Sequence, residues 1–373
     1  MHDFLIVGGG VVGLSLAYEL AGQGGRVQVL DAREPGKEAS WAGAGIMPPG
    51  PREPQTPLER LLAISNEMHP RWAAQLEQET GIDNGYRKCG ALYLARDPDA
   101  RETLDECAAF WIGRGIRCDS LTPSDVRRLE PAIKPPEQPA YLLPDEYQIR
   151  NPRHLQALIA GCVVRGVELV PGAAATEFEL RGDRVGAVET AKGKFAARTV
   201  CVTTGSWTAE LLQRLGVTLA IKPIRGQIAL LRTERPVLSR IVNQGRRYLV
   251  PRPDGRLLVG STEEDVGFDR SNTEEVIDQL LAYARTTVPE LVGLVPEQTW
   301  AGLRPHSADD LPYLGRVPGF ENLYVAAGHY RSGLQLSPAT AAVMSQLMRG
   351  EEPLVDLSEF RPDRHAACAS HQG

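Results

Sequence analysis

A chain of 373 residues, 42% hydrophobic and 24% charged, is long enough for two domains with separate cores. Its net charge of −6 argues against a nucleic-acid binder, which would carry a basic stripe. The six cysteines, Cys89, Cys107, Cys118, Cys162, Cys201 and Cys368, include no CxxC pair, which argues against a zinc site or a disulfide framework and for reduced thiols in the cytosol.

Residues 4–7 form an apolar run, followed by Gly8, Gly10 and Gly13 at GxGxxG spacing and a helical pattern over 12–23. A second run over 26–30 ends on Asp31, eighteen residues after Gly13. This strand, glycine turn, helix, strand and acid is the order that grips a dinucleotide. The first glycine permits the tight turn, the second admits the pyrophosphate, and the third lets the helix pack on the sheet. The helix N-terminus around Val12 offers free N–H groups to phosphate, and Asp31 stands where an acid accepts from a ribose hydroxyl. The motif alone does not separate FAD from NAD. The first run lacks a basic flank and is broken by glycine, so it reads as a core strand and not a signal peptide. No stretch approaches eighteen uninterrupted apolar residues, and no membrane span is expected.

Residues 48–57 hold five prolines and read as a loop, and 58–80 are helical in pattern. Residues 89–147 mix short strands and helices. Asn151 with Pro152 signals a helix start, with Arg165 at its end and Gly166 as cap. A strand over 167–170 follows, then alternating runs over 176–180, 184–190 and 194–197 with turns at Gly182-Asp183 and Lys192-Gly193. The apolar strand 199–202 runs into Thr204-Gly205-Ser206-Trp207, a way to bring backbone close to a ligand. Residues 223–259 are strand-rich, with a hairpin of 248–250 and 257–259 around Pro253-Asp254-Gly255. Ser271 with Glu274 suggests a capping box for a helix reaching Thr287. Near the C-terminus a strand over 323–327, a turn at 328–333 and a helix to Arg349, stopped by Gly350, again aim backbone N–H groups at a ligand. From about Arg364 the chain reads as a polar tail. The fold expected is α/β: a Rossmann-like domain in three segments, with a mixed-sheet domain inserted twice. No GxxxxGK[ST], HExxH, GxSxG or metal-ligand spacing occurs.

Several strings taken together resemble the D-amino-acid oxidase family of flavoproteins, in its glycine oxidase branch linked to thiamine biosynthesis. They are DFLIVGGGVVGLSLAYELA, GKEASWAGAGIM, VTTGSW, RRYLVPRPDGRLLVGSTEEDVGFD, WAGLRPHSADDLPYLG and AAGHYRSGLQLSPATA. The resemblance covers nearly the whole chain. It implies non-covalent FAD, since the C-terminal glycine loop holds no cysteine of the kind that tethers flavin in sarcosine oxidases. It implies a FAD-binding domain of 1–88, 150–218 and 300–373, and a substrate-binding domain of 89–149 and 219–299. Flavin contacts fall on Gly8, Gly10, Val12, Gly13, Asp31, Ser40, Ala44, Gly45, Met47, Ala174, Gly205, Trp207, Gly328, His329, Arg331, Ser332, Gly333 and Leu334.

For the chemistry, Arg304 matches the family's carboxylate-binding arginine. A guanidinium pairs bidentately with a carboxylate and fixes its orientation. The competing reading is a structural arginine bonded to carbonyls, Asp309 or Asp310. Tyr248 matches the tyrosine that shares that carboxylate, or is a packing aromatic. Arg331 matches an arginine near substrate and flavin, or binds its own loop. Met47 lines the flavin cavity or fills the core. His329 reads as structural in preference to a general base. Two positions depart from the family: Arg246 stands where some relatives carry histidine, and Glu263 where others carry an apolar residue. Glu263 reads as an exposed hairpin-end acid; facing the cavity, it would attract a cationic amine.

The implied activity is oxidation of glycine, sarcosine or a small D-amino acid by hydride transfer to flavin N5, with dioxygen as acceptor. The expected products are a 2-oxo acid, ammonia and hydrogen peroxide. A dehydrogenase of the same fold and a flavin-binding subunit without turnover are the alternatives. The implied setting is a cytoplasmic homo-oligomer, with a thiazole-forming enzyme as a partner for the imine and no nucleic acid or membrane partner.

Overall fold

The strand His2–Val7 lies inside a six-stranded sheet in the computed structural model, which describes residues 2–365. The order across this sheet is Tyr313–Arg316, Leu323–Ala327, Ala197–Val202, His2–Val7, Val27–Leu30 and Glu168–Val170. All neighbours are parallel except the edge strand Tyr313–Arg316. Parallel strands covered on both faces read as continuous apolar runs, as these do. One face carries the helices Val11–Gly22, Pro57–Thr80, Asn151–Val164 and Gly333–Arg349, which pack on one another. The other face meets a three-stranded meander, Ala175–Arg181, Arg184–Thr190 and Gly193–Phe195, through Val185 and Val188.

Local chemistry explains the helix limits. Thr56 Oγ1 accepts from the Glu59 N–H at 3.2 Å, Pro57 occupies the first turn, and Gly81 closes the helix at φ 72°. Its buried residues Leu61, Ser65, His69, Trp72 and Leu76 recur at spacings of three and four, which makes one face. The last helix ends on Gly350 at φ 78°.

The second sheet has eight strands, in the order Gln298–Ser307, Ile221–Arg232, Arg256–Gly260, Arg247–Pro251, Ile241–Gln244, Ala91–Tyr93, Ala140–Leu143 and Asp119–Leu121. The helix Glu274–Thr287 covers one face with Ile277, Leu280, Leu281 and Ala284, a helical stripe. The first two strands pair from Ile221↔Ser307 to Leu230↔Gln298 and reach back to the turn Gly205–Trp207, and the first of them also to the short helix Ala39–Ala42.

Three local expectations change. No capping box forms at Ser271 and Glu274: Thr273 is the N-cap, and the Ser271 hydroxyl donates to Asp269 Oδ2 at 3.0 Å. Asn151 is the first helical residue and not the N-cap, because its amide donates to the Ser40 carbonyl at 2.7 Å. Arg364 is no loose tail residue; it pairs with Asp309 and lies 3.6 Å from the centre of the Tyr313 ring. The rest of the expected tail, with Cys368, lies outside the described residues. The expected boundary at residue 300 falls within Gln298–Ser307, a strand of the eight-stranded sheet.

Glu146 is fully buried in the second sheet's connections, where Tyr93 donates to its Oε2 at 2.8 Å. Burial pushes its pKa from 4.5 up to about 8. Between those values the unfolded chain ionises Glu146 while the folded chain keeps it protonated, so its contribution makes stability fall as pH rises through this window. Glu146→Gln removes that titration. The Tm of the variant relative to the parent is therefore expected to rise from about pH 5 to about pH 8 and then level off. A difference that stays flat on thermal unfolding across that range would show the carboxyl to be ionised in the folded protein.

Candidate active site

The glycine turn and the two long strands of the second sheet enclose one cavity of about 520 Å3. At one end lie Gly8, Gly10, Val11 and Val12, with Asp31, Ser40 and Ala174 around them. Gly8 sits at φ 114°, and a Cβ there would lie 2.6 Å from the Thr203 carbonyl oxygen. The helix Val11–Gly22 begins here, and its first-turn N–H groups have no intrahelical acceptor. That of Val11 donates to Ser40 Oγ at 2.9 Å. Asp31 Oδ2 accepts from the Gly9 N–H at 2.7 Å and Oδ1 from the Arg33 N–H at 2.8 Å, so the acid holds the turn while facing the cavity. Burial raises the Asp31 pKa.

The middle of the cavity is walled by Gly43, Ala44, Gly45 and Ile46 on one side and by Gly205, Trp207 and Leu303 on the other. Gly45 has φ 69°, and a Cβ there would lie 1.9 Å from the Ile149 carbonyl oxygen, so this wall depends on glycine. Behind it the buried Arg252 donates to the carbonyls of Ala44 at 2.8 Å and Ile149 at 3.0 Å and to Gln148 Oε1 at 2.7 Å. Burial lowers the Arg252 pKa to about 9.

At the far end stand Tyr248, Ser261, Arg304, Tyr330 and Arg331. The side chains of Tyr248 and Val250 share one face of their strand, from which Tyr248 reaches this end, and that of Leu249 faces the core under the helix Glu274–Thr287, as strand alternation requires. Arg304 donates to Ser261 Oγ at 2.7 Å and to the Thr262 carbonyl at 3.0 Å. It has no carboxylate partner among the described residues: Asp309 is taken by Arg364, and Asp310 by His306. Two glycines make room for these groups. A Cβ on Gly226 would lie 2.2 Å from Arg304 Nη1, and one on Gly260 would lie 2.6 Å from the Tyr248 ring. Arg331 Nη1 lies 2.8 Å from Glu263 Oε1, and Arg246 Nη1 lies 3.1 Å from Glu263 Oε2. The Glu263 side chain is 14% exposed, so it is a buttress between two arginines and not an exposed acid.

His329 is buried, its Nε2 lies 3.1 Å from Thr340 Oγ1, and burial lowers its pKa to about 4, which keeps the imidazole neutral. Gly333 and Leu334 also line the cavity. Four residues expected there do not. Gly13 faces the turn, where a Cβ would lie 1.9 Å from the Gly8 carbonyl oxygen. Met47 follows Ile46 on a two-residue strand and turns the other way. Gly328 supplies a turn at φ 79° whose carbonyl accepts from Ser307 Oγ. Ser332 caps the last helix, and its N–H donates to the His329 carbonyl at 2.9 Å.

Residues that the sequence does not mark as ligand contacts complete the site. Thr203 Oγ1 donates to the Gly8 carbonyl at 2.7 Å. Asn151 lines the cavity at 2% exposure, and its Oδ1 has no hydrogen-bond partner among the described residues. A buried acceptor left unpaired is costly. A hydroxyl-rich dinucleotide running from the glycine turn past Asn151 would satisfy it, and the cavity fits FAD in this way. No cluster of His, Cys, Asp and Glu among the described residues could hold a metal ion, and no described helix is long and apolar enough to cross a membrane.

A protein-family model described as "DAO: FAD dependent oxidoreductase" matches residues 3–347. The chain is 36% identical to a glycine oxidase of Pseudomonas putida over 362 residues, covering 96% of this chain and 98% of that protein. It is 33% identical to a "Bifunctional protein ThiO/ThiG" of Synechocystis, covering 97% of this chain and 54% of that protein. The crystal structure of glycine oxidase from Geobacillus kaustophilus superposes with a TM-score of 0.93 at 33% identity, covering 98% of this chain and 99% of that one.

Proposed function

Because the chain belongs to the DAO family of FAD-dependent oxidoreductases, we propose that it oxidises glycine or another small amino acid, with dioxygen as the final acceptor. For a primary amino acid such as glycine the net reaction converts amino acid, water and dioxygen into a 2-oxo acid, ammonia and hydrogen peroxide; a secondary one such as sarcosine releases its amine in place of ammonia. The observation that carries this reading is Arg304, a guanidinium without a carboxylate partner, facing the same cavity as Tyr248 at the end away from the dinucleotide turn.

Arg304 and the Tyr248 hydroxyl fix the substrate carboxylate, and the flavin-side wall at Ala44–Ile46 limits how the α-carbon is presented. FAD, when bound, supplies the acceptor for the hydride leaving the α-carbon. Positioning then carries most of the catalysis. The neutral His329, bonded to Thr340, holds its loop and takes no proton from the substrate. The amine's lone pair drives the departure, so the reactive substrate is the uncharged amine. FAD is held without a covalent bond, a reading supported by the lack of any cysteine among the residues lining the cavity. Fusion of a similar chain in the ThiO/ThiG relatives supports delivery of the imine to a thiazole-forming partner. We place the enzyme in the cytoplasm as a homo-oligomer.

A peroxide-coupled screen of glycine, sarcosine, D-alanine and D-proline in air tests the reading. Peroxide with at least one of them is expected. Dye reduction without peroxide would reassign the protein as a dehydrogenase. A flavin that none of them bleaches without oxygen would leave a binding subunit.

A further inference from the structure

Three charged groups at the substrate end form one ladder. Tyr330 N–H donates to the Pro305 carbonyl at 2.9 Å, and His306 bridges His329, which ties the loop carrying Arg331 to the strand carrying Arg304; both arginines line the cavity. The Tyr330 hydroxyl lies within electrostatic reach of Glu263, Arg304 and Arg331 together. Glu263 gives one oxygen to Arg331 and the other to Arg246. Arg246 is the outer member, with its side chain 74% exposed, while Arg331 lines the cavity. Glu263 thus neutralises Arg331, one of the two arginines that line the substrate end of the cavity, and makes no pair with the other, Arg304.

We infer that Glu263 is a specificity-determining residue, which by occupying Arg331 leaves Arg304 as the single free carboxylate anchor and restricts the site to amino acids with one carboxylate. The inference rests on the reading of Arg304 given above. A substrate with a second carboxylate would bring it to an arginine already paired, next to the negative charge of Glu263. Removing that charge leaves Arg331 open to accept the second carboxylate as a charge-assisted pair. Glu263 touches no substrate; it acts through Arg331.

The test uses the FAD-loaded protein and two ligands without an amine to oxidise, acetate and diglycolate, titrated by the change in flavin absorbance. Glu263→Gln, which keeps the shape, is expected to tighten diglycolate relative to acetate by about tenfold or more, with FAD content unchanged. Glu263→Met should move the ratio the same way. Arg246→Ala keeps the Glu263–Arg331 pair and should leave the ratio at the parent value. In turnover, the Glu263→Gln variant should gain iminodiacetate over glycine in kcat/KM to the same degree. A ratio that moves less than about twofold in Glu263→Gln, or that moves equally in Arg246→Ala, overturns the inference. Acetate binding that survives Arg304→Ala undiminished overturns it together with the functional reading. Acetate binding that depends on Arg304, with a fixed ratio in the Glu263 variants, overturns the inference alone.

Discussion

Arg304→Ala is expected to lower kcat/KM for the preferred amino acid by at least about tenfold while the protein stays folded and yellow. A hydrogen bond to a charged group contributes roughly 1.5–3 kcal/mol, and a bidentate pair makes two of them. The anchor serves ground and transition states alike, which raises KM, and it also aims the α-carbon, which lowers kcat. Arg304→Lys keeps the charge but loses the fork, and should recover only part of the activity. Gly226→Ala gives an independent check. Its Cβ would lie 2.2 Å from Nη1, 2.3 Å from Nη2 and 2.4 Å from Cζ of Arg304. Those atoms end a flexible side chain, so the fold survives while the guanidinium is pushed from its place. The expected result is a folded, FAD-loaded protein that reproduces the kinetic loss of Arg304→Ala. Steady-state kinetics beside the flavin absorbance of each purified variant decide the matter; a Gly226→Ala enzyme with parental KM and kcat would show that Arg304 does not need its observed position.

The contrast between these residues and the rest of the site shows where sequence is informative. The glycine turn was legible because its parts are neighbours in the chain, and spacing alone encodes strand, turn and helix. Arg304 and Tyr248 were legible only through the resemblance of their flanking strings. Asn151, Thr203 and Arg252 were not, since their roles are contacts made across the fold. Arg252 reaches the Ala44 carbonyl over 208 residues, and Asn151 reaches the Ser40 carbonyl over 111. Met47, which the sequence leaves between the flavin cavity and the core, is buried away from the cavity lining; on a strand of two residues, alternation has no length over which to set its phase. Glu263 read as an exposed acid because the hairpin end looked free, whereas Arg331, 68 residues away, folds down onto it.

Gly13→Ala is expected to yield a colourless protein that added FAD does not restore, or one that loses FAD on desalting. The added Cβ would lie 1.9 Å from the Gly8 carbonyl oxygen and 2.6 Å from Thr203 Oγ1. Unlike the atoms around Gly226, the first of these is backbone of the turn itself and cannot rotate away. The helix Val11–Gly22 must therefore lift from the strand His2–Val7 or the turn must open. Either change moves the first-turn N–H groups that would face the pyrophosphate, and it breaks the Thr203 bond that ties the turn to the neighbouring strand. The helix is buried on both sides, so lifting it also disturbs its packing on the helices Asn151–Val164 and Gly333–Arg349. The loss should thus appear twice, as absent flavin absorbance and as a lower Tm of the apoprotein. Full FAD content with a parental Tm would mean that the third glycine is not what keeps helix and turn together.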